Sequence, residues 1–168
     1  TFNPAGIYTD ESGQTQFFDN QTDNYKQNHY QLLWNQTYND YWSSNFALHY
    51  TYGRGYYENY QEDADFAEYG LSPISIGGET IDVTDLINQK WLDNHYYGFT
   101  AALNYSKTKF DFTLGGAYSQ YRGDHFGNII WANYASNTRP SDKYYDNYGD
   151  KDDANIFAKL NYNLSERL

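Results

Sequence analysis

The chain has 168 residues with no cysteine and no methionine, which leaves room for one ordinary domain and excludes disulfides and thiolate metal sites. Its formal net charge of -11 argues against nucleic-acid binding, because phosphate contacts need a basic surface. Mean hydropathy is -0.94 and no run approaches the ~18 apolar residues of a membrane helix, so a helical membrane protein is excluded, whereas a membrane β-barrel is not.

Residues 1–24 read as the end of a long polar connection, with no basic and apolar leader before it. Five segments then alternate with period two over about ten residues each, a length that suits a tilted membrane strand. In the first, Tyr30, Leu32, Trp34 and Tyr38 share a face with Gln36 and oppose His29, Gln31, Asn35 and Thr37, with Leu33 an exception. In the second, Phe46, Leu48, Tyr50, Tyr52 and Tyr56 oppose Asn45, Ala47, His49, Thr51, Gly53 and Gly55. A long connection is expected over 57–95, in which Asp82–Lys90 (DVTDLINQK) reads as two helical turns with Asp82 as N-cap.

In the third strand Tyr97, Phe99, Ala101, Leu103 and Tyr105 oppose Gly98, Thr100, Ala102 and Asn104. In the fourth Phe110, Phe112, Leu114, Gly116 and Tyr118 oppose Asp111, Thr113, Gly115, Ala117 and Ser119. A second long connection is expected over 122–153. In the fifth strand Ala154, Ile156, Ala158, Leu160, Tyr162 and Leu164 oppose Asn155, Lys159, Asn161 and Asn163, with Phe157 an exception. Short turns are expected at Asn39–Ser44 and Ser106–Lys109, and Ser165–Leu168 reads as the start of another.

Short turns alternating with long, acid-rich connections are the arrangement of outer-membrane barrels. The segments 1–24, 57–95 and 122–153 hold 19 of the 22 acidic residues. Aromatic side chains cluster at both ends of the strands. Tyr38, Tyr41, Trp42, Tyr105, Phe110 and Tyr162 lie near the short turns, and Tyr56, Tyr57, Tyr96, Tyr97, Tyr118 and Tyr121 near the long connections. Two such belts are expected at the two membrane interfaces. The expected fold is therefore all-β: an antiparallel transmembrane β-barrel segment of about five strands with long external loops. Residues 1–168 form part of one barrel domain, because five strands do not close a barrel and an open apolar edge is not tolerated in lipid. A soluble sandwich would alternate in the same way but does not account for the turn lengths.

The phrases NHYQLLWNQ (28–36), LHYTYGRGYYENY (48–60), WLDNHYYG (91–98) and GDHFGNIIWANYAS (123–136) resemble the barrel of TonB-dependent outer-membrane receptors, particularly those of Bacteroidetes. The resemblance implies an outer-membrane receptor and transporter that takes up a scarce nutrient with energy from the TonB complex. Iron–siderophore complexes come first as cargo, with haem, cobalamin and glycans behind. It implies further partners: outer-membrane lipid, the plug domain of the same full-length protein, and a surface lipoprotein. The plug domain and the remaining strands are absent from this chain. The alternatives are a non-transporting structural outer-membrane barrel and a soluble all-β carbohydrate-binding module.

A plugged lumen needs a polar wall, and the inward faces supply His49, Thr51, Asp111, Ser119, Asn155 and Lys159. Gly53, Gly55, Gly115 and Gly116 would let a plug or a neighbouring ring approach closely, or else ease strand curvature and pack under tyrosines. Two loop groups combine rings with polar anchors, as ligand sites do: Tyr57, Tyr60, Phe66, Tyr69 and Trp91, and then Trp131, Asn133, Tyr134, Asn137 and Arg139. Packing of loop on loop accounts for the same residues.

His29, His49, His95 and His125 lie at no metal-ligand spacing, with His95 and His125 expected at loop bases. The acidic runs Glu62-Asp63-Ala64-Asp65 and Asp150-Lys151-Asp152-Asp153 lack the spaced calcium-loop pattern and suit solvated loops. No metal or cofactor is expected. With no nucleophile-elbow pattern and acid pairs only in the loops, the chain is not expected to be an enzyme.

Overall fold

A computed structural model describes residues 7–17, 23–135, 137–140 and 142–164. Among these residues nine strands run in chain order: β1 (Ile7–Thr9), β2 (Thr15–Phe17), β3 (Asn24–Thr37), β4 (Trp42–Asp65), β5 (Ile74–Ile76), β6 (Glu79–Ile81), β7 (Val83–Lys107), β8 (Phe110–Ala132) and β9 (Lys143–Tyr162). One 3-10 turn, Phe66–Tyr69, follows β4. The main sheet is antiparallel with strand order β3-β4-β7-β8-β9, and it is not closed into a barrel. The hairpins β1-β2 and β5-β6 form separate two-stranded sheets. No helix among the described residues is long and apolar enough to cross a membrane, which says nothing of strands.

Both short turns fall where the sequence puts them. Between β3 and β4 the Asn39 carboxamide oxygen accepts from the backbone N–H of Tyr41 (2.9 Å) and of Trp42 (3.0 Å). Such a side-chain turn is the use Asn is suited to. Between β7 and β8, Thr108 adopts a left-handed conformation (φ 45°), and Ser106 Oγ donates to Asp111 (2.6 Å).

The long connections are shorter than expected, because the strands run well past ten residues. Residues 57–65 belong to β4, 83–95 to β7, 122–132 to β8 and 143–153 to β9. What remains are the connections 66–82 and 133–142. His95 and His125 are thus strand residues, not loop-base residues.

Asp82–Lys90 is not helical. Thr84, Leu86 and Asn88 are buried at alternate positions of β7, a period that only a strand gives. Asp82 caps no helix; its carbonyl accepts from the N–H of Phe66 (2.9 Å). Within the connection, β5 and β6 pair through Ile76↔Glu79 across Gly77 and Gly78, both at positive φ, as a tight two-residue hairpin requires.

Residues 7–17 of the expected first connection form the β1-β2 hairpin. Asp10 closes it by accepting from Ser12 Oγ, Ser12 N–H, Gln14 N–H and Gln16 Nε2. Those bonds, led by the Ser12 hydroxyl, hold its carboxyl down at about 2. Residues 1–6 and 18–22 of that connection and the expected turn at 165–168 lie outside the described residues.

The chain divides into two compact units. The first comprises 1–26, 53–93 and 123–148, the second 27–52, 94–122 and 149–168. Sixteen acidic and five basic residues fall in the first, and six of each in the second, so the whole net charge belongs to the first unit.

The first unit has a core of Phe66, Leu86, Ile129, Leu71 and Ala64, with Phe66 and Leu86 almost completely enclosed. The second unit has none of these buried core residues. Its rings meet in cross-strand rows instead: Tyr30 on Tyr50 (6.0 Å), Phe46 on Phe99 (6.1 Å) and Phe99 beside Tyr118 (6.3 Å).

Strands press close at several glycines, Gly55 and Gly115 among them. A Cβ on Gly55 would lie 2.0 Å from the Asn24 carbonyl oxygen, and one on Gly115 would lie 2.6 Å from the Phe157 ring. Gly55→Ala must displace backbone, so it is expected to lower stability by ~1–3 kcal/mol, read as a lower melting temperature. An unchanged melting temperature would show that β3 is not held against β4 there.

Candidate functional site

In the first unit, Asp85 on β7 draws the end of β4 and the start of the 133–142 connection together. Its Oδ2 accepts from the Tyr60 hydroxyl (2.8 Å) and its Oδ1 from the Asp63 N–H (3.0 Å). Its carbonyl accepts from the Asn133 N–H (2.9 Å) and from Thr84 Oγ1 (3.0 Å). Thr84 Oγ1 in turn accepts from the Tyr134 N–H (2.9 Å). Asp63 sits at φ 46°, a left-handed conformation that Asp tolerates better than most residues.

The Tyr60 ring lies over Trp131 (6.4 Å, 20° between planes). Trp131 is 46% exposed and Tyr134 39%. The corner is thus a half-open pair of rings beside a carboxylate, with Tyr134 held close by its backbone. Rings with a few fixed polar groups can stack on a flat or polyhydroxylated molecule and orient it.

Four of the expected ligand residues therefore belong together: Tyr60, Trp131, Asn133 and Tyr134. The expected division into two loop groups does not hold, because Tyr60 and Trp131 are strand residues that meet across the sheet. Asp85, which organises them, was missed: it lay inside the stretch read as a helix.

The other expected ligand residues have different work. Phe66 is core, 1% exposed. Tyr69 packs on Tyr144 (4.8 Å), and its hydroxyl accepts from Asn88 Nδ2 (3.1 Å). Tyr57, on β4, lies under Lys90 (5.9 Å). Trp91, on β7, stacks between Tyr56 (4.5 Å) and Phe126 (5.9 Å), with the Arg54 guanidinium over its ring (5.4 Å). Arg139 closes a turn in which its N–H donates to Asp142 Oδ2 (2.9 Å). Asn137 ties that connection to the turn after β4: its Oδ1 accepts from Ser72 N–H (2.9 Å), and its Nδ2 donates to the Gly70 carbonyl (3.2 Å).

In the second unit the residues read as lumen-facing lie on one face with other polar groups. His29 Nδ1 and Thr51 Oγ1 are hydrogen-bonded (2.9 Å), and the His49 ring lies against Tyr96 (5.0 Å). A chain of side-chain bonds crosses four strands. Asn45 Nδ2 donates to Asn35, Asn104 Nδ2 to Asn45 (2.9 Å), and Thr113 Oγ1 to Asn104 (3.0 Å). Ser119 lies beneath Gly98 on the neighbouring strand, Asp111 is bound at the short turn, and Lys159 is exposed.

The opposite face carries the apolar set. Tyr30 and Leu32 are each 61% exposed and Ile156 is 80% exposed. Trp34, Phe46, Phe99, Leu103, Leu114 and Ile156 line a shallow hollow of ≈ 650 Å³. Near the short turns, Tyr105 meets Tyr41, Trp42 and Phe110, and Lys107 lies over Tyr41 (5.3 Å).

No three His, Asp or Glu side chains among the described residues group in a way that would hold a metal ion. Comparison with protein-family models, with curated proteins and with solved structures returned no match.

The Tyr60 hydroxyl is pushed up to about 12 from its ordinary 10.0, first by burial and then by the bond to Asp85. The folded chain thus favours the protonated ring. This contribution to stability is complete below pH 10 and lost as pH rises through about 12. Tyr60→Phe is expected to flatten the alkaline limb of a stability–pH profile in that window. An identical limb in both proteins would show that Tyr60 makes no such contribution.

Proposed function

We propose that this chain is part of the transmembrane barrel of a TonB-dependent outer-membrane receptor, which takes up a scarce nutrient with TonB-derived energy. The observation that carries the reading is the bare apolar face of the second unit. Tyr30, Leu32, Trp34, Leu48, Phe99, Leu114 and Ile156 are all exposed there, while the other face holds a hydrogen-bonded row of amides and hydroxyls. Soluble proteins rarely leave so broad an apolar surface in water, whereas lipid is a suitable solvent for it. The hydrogen-bonded amides are in turn suited to a wet or plugged lumen.

The unpaired edges of β3 and β9 support the same reading. A sheet in lipid must continue until it closes, so further strands are required beside both edges. The resemblance of the four quoted segments to receptor barrels supplies the rest: outer-membrane localisation, a plug domain, the TonB complex and a surface lipoprotein as partners. In this reading the first unit, acid-rich and with its own core, is the external part. The Tyr60–Trp131 corner is its ligand contact.

Two substitutions test the orientation in the intact receptor. Leu48→Lys puts a charge on the lipid face and is expected to cost ~2–4 kcal/mol near the middle of the membrane, whereas Thr51→Lys is expected to be mild. Equal tolerance in a folding assay into lipid would reject the reading. A protein that stays monodisperse in plain buffer without detergent would favour the soluble carbohydrate-binding module instead. For the ligand corner, Trp131→Ala is expected to weaken nutrient binding by about tenfold or more while assembly is unchanged, as for a stacked aromatic anchor. Unchanged affinity would remove this corner from recognition.

A further inference from the structure

The register of β4 against β7 in the first unit is set by three neighbouring contacts: Tyr56 with Trp91, Tyr57 with Lys90, and Glu58 with Gln89. It places Asn59 opposite Asn88. Both are buried, Asn59 at 6% exposure and Asn88 at 0%. Asn88 shares its face of β7 with Leu86, which packs with Phe66 and Ile129, and its carboxamide reaches Tyr69 of the 3-10 turn. A strand interior enclosed by apolar residues is a costly place for two carboxamides unless each polar atom is paired.

The pairing is incomplete. Asn88 Nδ2 donates to the Tyr69 hydroxyl (3.1 Å), but Asn88 Oδ1 and Asn59 Oδ1 have no partner among the described residues. The Tyr144 hydroxyl is enclosed and likewise unpaired, and its ring lies 4.8 Å from that of Tyr69. Tyr69 thus touches both Asn88 and Tyr144. Burial raises the pKa of Tyr144, so this hydroxyl keeps its proton and has one to give.

The three atoms define what could satisfy them. Two amide oxygens need donors, and one hydroxyl needs an acceptor. A metal ion offers neither a donor nor an acceptor for the hydroxyl, and hard cations seek charged oxygens, of which none takes part here. An ammonium ion donates but does not accept. Water is the smallest species that does both, and buried waters typically make about three hydrogen bonds.

We infer that the first unit encloses an ordered water molecule that donates to Asn59 Oδ1 and Asn88 Oδ1 and accepts from the Tyr144 hydroxyl. It joins β4, β7 and β9 beneath the 3-10 turn and makes the polar pair part of the core. The site lies wholly within one unit and stands whether or not the sheet meets lipid.

A crystal structure of the intact protein, at a resolution that places ordered waters, tests this directly. A peak within hydrogen-bonding distance of all three oxygens is expected. An empty site, or Asn59 and Asn88 bonded directly to each other, would overturn the inference. Tyr144→Phe gives an independent check of opposite sign. With the water present it removes a hydrogen bond, so the melting temperature falls. With a dry site it removes an unpaired buried hydroxyl, so an unchanged or raised melting temperature rejects the water.

Discussion

Everything in the second unit depends on one constraint: side chains of a β-strand alternate, so a register shift of one residue would turn each apolar set to the wrong face. The cross-strand contacts show the register kept from strand to strand. Phe46 meets Phe99, and Phe99 meets Tyr118, on one face, while Asn35, Asn45, Asn104 and Thr113 are bonded in series on the other. With no buried core among its described residues, this part is stabilised by its ladders, by those pairs and by whatever solvent meets each face.

The first unit follows a different logic. It carries the whole net charge and covers one strand face with its own chain, inserting Phe66 and Leu71 against Leu86 and Ile129. Covering a face that includes Asn59 and Asn88 creates a demand for polar partners that apolar side chains do not meet. Charged side chains there are used locally: Arg54 lies over Trp91, Lys90 over Tyr57 and Lys143 over Phe126. Such cation–ring contacts let a strand surface that is rich in both be wet without leaving the rings bare.

The middles of the five long strands and both short turns were legible in the sequence, because Phe46 to Tyr52 or Phe110 to Tyr118 alternate without interruption. The strand extensions were not. In 57–65 the two tyrosines fall at one odd and one even position among polar and acidic residues, which gives no period-two contrast in hydrophobicity, and the burial of Asn59 and Ala64 involves residues distant in the chain. In 82–90, Val83, Leu86, Ile87 and Lys90 fall at helical spacing, so a local reading favours a helix. Only the non-local burial of Thr84, Leu86 and Asn88 decides for a strand. Asp85 was hidden with them. Its role is to accept from Tyr60 and Asp63, and neither bond has a signature in nearby residues. The rings of the Tyr60–Trp131 corner were singled out because tryptophan and tyrosine beside amides stand out in the sequence.

The central claim is that the two faces of the second unit meet different solvents. Because the chain has no cysteine, single cysteines can be placed one at a time from Asn45 to Tyr52, spin-labelled, and read in a lipid bilayer for collisions with oxygen and with a water-soluble nickel chelate. The account predicts period-two alternation, with oxygen reaching 46, 48, 50 and 52 and the chelate reaching 45, 47, 49 and 51. Chelate access at every position, or alternation of the opposite phase, would contradict it.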